Sequence, residues 1–211
     1  MNTTTPAKEL SKGAQTRERL LDIAQDAVLR NGFGGTQIED IIAAAGITKS
    51  GFFYHFRDKN DLARALIVRF IEQDKALMDG IFARGDELNE DPLHGFLVGL
   101  KLMADVLADL KSEHPGCLVA AYCYQEQQFS REVQQLSADA AAAWRARFRQ
   151  RFDCIAERYP PRFAIDLDAL SDMATVLVEG GIILDKVFGG SRILPAQIMQ
   201  FRHLVRTAFL P

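Results

Sequence analysis

Between Thr36 and Asp61 the stretch TQIEDIIAAAGITKSGFFYHFRDKND gathers side chains suited to a polyanion. Lys49 supplies a cation, Ser50 and Tyr54 supply hydroxyls, and His55 supplies an imidazole. At about 100° per residue, Ser50 and Tyr54 centre one face of a helix that starts at Lys49, with Gly51 close by. Lys49 and Phe53 fall on one flank of that face and His55 on the other. Phe52 and Phe56 share the opposite face and are expected to pack inward with Ile47. Cations and hydroxyls suit phosphates, and donors and acceptors suit base edges. A helix buried on all sides has no use for such an outward face. Gly51 is costly inside a helix relative to alanine, and a close approach of the backbone to a partner would account for it.

The elements that must hold this face are legible on either side. Thr36 is expected to cap a helix whose Ile38, Ile41, Ile42 and Ala45 fall at i, i+3, i+4 and i+7, one apolar stripe. Gly46 follows, the residue type that ends a helix in a left-handed conformation without steric cost. Thr48 is expected to cap the next helix. Two short helices around a tight turn have the spacing of a helix-turn-helix, whose second helix enters the major groove of DNA. An earlier helix is predicted from Ala14 or Thr16, with Leu20, Ile23, Ala24, Ala27 and Val28 as its core stripe and Asn31-Gly32 as its end. A later one is predicted from Asp58 to about Ile81, with Asp61 in its first turn, where an acid suits the helix dipole.

Residues 16 to 62 resemble the N-terminal domain of the TetR family of bacterial repressors. The resemblance lies in Arg19 to Ala24, in Phe33-Gly34-Gly35-Thr36, in Ile38 to Gly46, and in Thr48 through Lys59. It covers about a quarter of the chain, and the preceding helix, the glycine hinge and the aromatic run are all in register. It implies an all-helical dimer that represses transcription until a small molecule binds its C-terminal domain. In the family pattern Lys59 points to the DNA-facing end of its helix. The expected DNA-contact set is Thr36, Thr48, Lys49, Ser50, Gly51, Tyr54, His55 and Lys59.

The fold expected for the whole chain is all-α. Residues 1–13 are expected to be a disordered arm, 14–60 the helix-turn-helix head, and 61–211 a helical effector-binding and dimerisation domain. In that second part the run from Gly85 to Pro92 reads as a loop. Helices are predicted over 92–111, 117–129, 131–159, from 166 or 168 to 188, and over 195–210, with His114-Pro115-Gly116 and Pro160-Pro161 as breaks. The last two are apolar enough to complete their own core; in the family they pair with the same two helices of a second subunit. Gly180-Gly181 lies inside the first of them and permits a close helix contact. Between bundle helices an effector is expected against aromatic and apolar residues. Met103, Leu107, Tyr122, Tyr124, Trp144 and Phe148 are the candidates, and their low charge favours an apolar or weakly polar organic molecule.

Other chemistries are weighed against these. No GxSxG, HExxH or phosphate-cradling glycine loop is present, so catalysis is not expected, and no cofactor is implied. His114, Cys117 and Cys123 have spacing open to a metal or a thiol sensor, but a fourth ligand is lacking and buried packing is the expected role. A helical binding or scaffold protein that no longer reads DNA is the reading from a different class. The 211 residues carry a net charge of −3. Residues 1–60 hold eight Lys/Arg against seven Asp/Glu, so the remainder carries −4. Overall charge therefore does not argue for DNA; the local placement of Lys49, Arg57 and Lys59 does. No apolar run spans a bilayer and no signal peptide is evident. With three cysteines this points to a reducing, cytoplasmic setting, with operator DNA, a small organic effector and a second copy of the chain as partners.

Overall fold

The Ser11 hydroxyl accepts a hydrogen bond from the Ala14 N–H at 3.3 Å and starts the first helix, α1 (Lys12–Gly35). The computed structural model describes residues 11–108, 116–190 and 192–210. The arm expected over 1–13 therefore lies outside the described residues up to Leu10, and its end is already helical. Gly32 kinks α1 with a positive φ of 73°, so the regular helix ends at the predicted Asn31-Gly32 and one further turn follows. Then come α2 (Ile38–Ala45), α3 (Lys49–His55), α4 (Lys59–Leu88), α5 (Pro92–Ala108), α6 (Leu118–Cys123), α7 (Arg131–Arg158), α8 (Leu167–Phe188) and α9 (Ile193–Phe209). Among the described residues there is no strand.

Two apolar cores form. The first joins Leu20, Leu21 and Ala24 of α1 to Ile41, Phe52, Phe56, Leu62 and Leu66. It does not stop at residue 60: Leu118 and Tyr122 of α6, Phe129, and Val133 of α7 belong to it. The second is built from α4, α5, α7, α8 and α9 around Phe82, Phe96, Phe148, Phe152 and Phe201. The helix α4 has 30 residues, about 45 Å at 1.5 Å per residue, and contributes to both cores.

The structure departs from the predicted loop at Gly85, where α4 continues to Leu88. A Cβ on Gly85 would meet the Gly95 carbonyl at 2.6 Å and the Gly99 nitrogen at 2.8 Å. Glycine here serves close packing of α4 on α5, and the helix absorbs its low propensity. The helix expected over 117–129 is shorter: α6 ends at Cys123 and a single 3-10 turn covers Glu126–Gln128. His114-Pro115 lies outside the described residues. Gly181 also serves a different contact from the one expected, because a Cβ there would sit 2.8 Å from Leu194 Cα in α9 of the same chain.

Candidate nucleic-acid interface and ligand cavity

The helix-turn-helix is fixed from three sides. Gly46 adopts φ 62° and ψ 35°, and its N–H donates to the Ala43 and Ile42 carbonyls, closing α2. Arg19 reaches from α1 and donates to the Ala45 carbonyl at 2.8 Å, satisfying another orphan acceptor at the turn. Thr48 caps α3, its hydroxyl accepting from the Gly51 N–H at 3.1 Å. Behind the pair, Arg69 of α4 clamps α1 through Asp22 at 2.7 Å and Gln25 at 2.9 Å.

On α3 the expected faces are realised. Phe52 and Phe56 are buried, with ring centroids 5.6 Å apart, and Ile47 is half-buried. Tyr54 is 82% exposed, unusual for so large a ring. Ser50 and Lys49 are exposed, and Lys49 Nζ lies 3.4 Å from Glu39 Oε1 in a solvated pair. Such a pair is worth little and is readily exchanged for a phosphate. His55 is half-buried, its ring 5.0 Å from that of Tyr54. Gly51 has an internal reason as well: a Cβ would press on Thr48 Oγ1 at 3.3 Å and crowd the cap.

Two members of the expected DNA-contact set are placed differently. Thr36 is only 2% exposed, and its hydroxyl donates back to the Gly32 carbonyl at 2.9 Å. Gln37 stands at the N-cap of α2 without a side-chain bond. Thr36 thus closes the extra turn of α1 and neither caps α2 nor offers its hydroxyl to a phosphate. Lys59 is half-buried, with Nζ 4.5 Å above the Phe33 ring, and burial lowers its pKa. Its stem covers the head core, so in this conformation the ammonium is committed to an aromatic face.

A cavity of about 960 Å³ lies between α4, α5, α7 and α8, with Gln25 of α1 also on its wall. Phe70, Asp74 and Met78 of α4, Met103 and Leu107 of α5, Trp144 of α7, and Val178 and Glu179 of α8 line it. Of the candidates from the sequence, Met103, Leu107 and Trp144 are brought together on this wall. Phe148 is not on the wall; it is fully buried behind Trp144, with centroids 5.8 Å apart. Tyr122 belongs to the head core, stacked on Phe129 at 4.2 Å, and its hydroxyl donates to the Ala63 carbonyl at 2.9 Å. Tyr124 is exposed at the end of α6. The wall is also more charged than expected. Trp144 Nε1 donates to Asp74 at 2.7 Å, and the Cys117 thiol is hydrogen-bonded to Glu179. Burial raises both carboxyl pKa values. Neither acid is singled out by its sequence context, since each faces inward only through the packing of four distant helices.

Cys117 and Cys123 lie in surroundings that suppress the thiolate. Burial, with the Glu179 carboxylate beside it, pushes the Cys117 thiol well up, and burial raises Cys123 too. A reactive thiol requires the opposite shift. Among the described residues no three His, Cys, Asp or Glu side chains converge as a metal site. No described helix is long and apolar enough to cross a membrane.

Sequence reasoning missed a set of contacts that tie α1 and the start of α4 to the α6–α7 connection and the start of α7. Gln125 Oε1 accepts from the Gly34 N–H at 3.0 Å, Asn60 Oδ1 accepts from the Ser130 N–H at 3.3 Å, and Arg64 pairs with Glu132. These residues join positions about 70 to 90 apart in the chain, and nothing in the local pattern marks them.

Known proteins match this arrangement. Residues 20–66 match the family described as bacterial regulatory proteins, tetR family. An uncharacterized HTH-type transcriptional regulator in the lacX 3' region of Lactococcus lactis subsp. lactis is 29% identical over 132 residues, covering 59% of this chain and 63% of that one. The HTH-type transcriptional repressor BepR of Brucella suis biovar 1 (strain 1330) is 32% identical over 85 residues, 40% of this chain and 39% of that one. The chain thus spans less than two thirds of these curated relatives. Regulatory protein TetR from Rhodobacter sphaeroides superposes with a TM-score of 0.72 over 92% of this chain and 98% of that chain, at 21% identity. At that identity the likeness establishes the fold.

Proposed function

The chain belongs to the TetR family of bacterial regulatory proteins, and from that premise we propose that it is a dimeric transcriptional repressor released from a palindromic operator by a small organic effector. The relatives it matches are transcriptional regulators rather than enzymes. The observation that carries the reading is the division of α3: two phenylalanines locked inward, with Lys49, Ser50 and Tyr54 left outward. A helix held this way presents its polar side to the major groove, with phosphates on its flank.

Release follows from connectivity. Phe70 and Asp74 of α4 line the cavity, and the same helix enters the head core at Leu62 and Leu66. Cys117 and Val119 also line the cavity, while Tyr122 and Gln125, a turn or two further on, hold the head. A ligand seated there moves both supports, and two heads displaced from the half-site spacing of about 34–36 Å cannot both bind. The second head comes from a partner on α8. Met173, Val176, Ile183 and Val187 are exposed there in steps of three, seven and four, and Gly180 completes the seam. A Cβ on Gly180 would meet nothing within 4 Å, so this glycine, rather than Gly181, faces the open side.

Alanine at Lys49 or Tyr54 tests the interface. Both changes are expected to leave the melting temperature unchanged and to weaken binding to a selected duplex. Lys49→Ala should also reduce the slope of log K against log salt by about one unit, as for one lost phosphate contact. Parent-like binding by both variants across a salt series would assign the wrong face to DNA.

A further inference from the structure

We propose that the cavity takes an organic cation with an aromatic or branched apolar body, its charge held between Asp74 and Glu179. This rests on the reading of the cavity as the effector site and names the ligand class, which that reading left at a small organic molecule.

Among the described residues the cavity lining carries five carboxylates, Asp74, Asp79, Asp86, Glu90 and Glu179, against three cations, Lys75, Arg147 and Arg151. The three cations share two of the carboxylates: Lys75 and Arg147 both pair with Asp79, at 3.1 and 2.8 Å, and Arg151 pairs with Asp86 at 3.0 Å. Asp74 and Glu179 have no ion pair among the described residues. Asp74 has Trp144 Nε1 as its hydrogen-bond partner, and Glu179 has the Cys117 thiol. Arg147 is close enough to Asp74 to lower its pKa, but Asp79 next to it acts the other way and burial outweighs both the tryptophan and the arginine. Burial raises the Glu179 pKa, the Cys117 thiol lowers it, and the nearby Asp74 carboxylate raises it further. Two half-buried acids close to one another, without an ion pair among the described residues, are costly in a largely apolar cavity.

The surroundings suit a cation with an apolar body. Asp74 is tied to the edge of the Trp144 indole, and Phe70 stands on the same α4 face one turn earlier. Aromatic faces attract an organic cation once it has left water. Met78, Met103, Leu107, Val178 and Ile182 supply the apolar remainder. The cavity volume of about 960 Å³ falls at the top of the range of about 300–1,000 Å³ for small-molecule sites. An anion would instead have to displace Asp79 or Asp86 from their partners.

The test uses three probes of similar shape and different charge: tetraphenylphosphonium, tetraphenylborate and triphenylphosphine oxide. Their affinities for the full chain are measured by isothermal titration calorimetry. The phosphonium is expected to bind at least tenfold more tightly than either of the others. Asp74→Asn and Glu179→Gln keep an acceptor for Trp144 and Cys117, and each should weaken the phosphonium by tenfold or more while leaving the neutral oxide unchanged. Equal or better binding of the borate or the oxide, binding of none of the three, or an undiminished phosphonium affinity in the double variant would overturn the proposal. The three-probe comparison on the unaltered protein decides the matter even if a variant misfolds. The same samples are tested on a duplex that the protein selects from a random pool. Duplex binding without phosphonium binding removes the cation site and leaves the regulator; phosphonium binding without any duplex binding does the reverse.

Discussion

Replacing Phe52 with alanine is expected to destabilise the protein by about 3–5 kcal/mol, the range for a buried aromatic. The side chain is fully buried, with Phe53 and Phe56 centroids at 5.4 and 5.6 Å. It is also the main buried anchor of a seven-residue helix, which is too short to hold itself together without tertiary packing. Removing it leaves a void between α1, α3 and α4, and α3 loses the contact that fixes its rotation. DNA binding should therefore fall even at temperatures where the rest of the chain remains folded. Phe53→Ala is the control, because that ring is 41% exposed; its cost should stay below about 1 kcal/mol. Denaturant unfolding of both variants gives the comparison. Similar losses for Phe52 and Phe53 would mean that α3 is rotated from the orientation described.

The head was legible because its information is local. Thr48, Gly46 and Asp58 each act on neighbours within four residues, and the apolar stripe of α2 follows from helical period alone. Thr36 shows the limit of such reasoning. A threonine before an apolar run signals an N-cap, yet one extra turn after the Gly32 kink turns its hydroxyl back to α1. Lys59 was similarly ambiguous, since sequence gives its place on α4 but not the Phe33 ring beneath it. The cavity was half legible. Met103, Leu107 and Trp144 lie on apolar stripes that face the bundle, whereas Tyr122 lies on an equally apolar stripe that faces the head. Periodicity says that a side chain is inward; it does not say into which of two cores. Asp74 and Glu179 were missed for the same reason in reverse, because an acid on a helix is read as solvated unless its neighbours in space are known.

Aspartate at both Val176 and Val187 is expected to yield a folded monomer at micromolar concentration. The two valines are 66% and 69% exposed in the single chain, so the charges cost little before association. With Met173, Gly180 and Ile183 they form a seam in steps of three and four, which matches the 3.5-residue period of paired helices. Met173 and Ile183 add apolar surface, and Leu184 and Phe188 widen it beyond what single exposed residues explain. In a two-fold interface each substitution occurs twice and places like charges near the axis without a partner. Gly181 is the wrong residue for this experiment: its space is filled by Leu194 of the same chain, so enlarging it would disturb the fold and the dimer together. Loss of the dimer should carry DNA binding with it. One head alone grips one half-site, and affinity should fall towards the non-specific level, on the order of a thousandfold or more. Sedimentation and duplex titration of the same preparation separate the two effects. A parent chain that is already monomeric at micromolar concentration, or a doubly substituted chain that still sediments as a dimer, would place the subunit contact elsewhere than on α8.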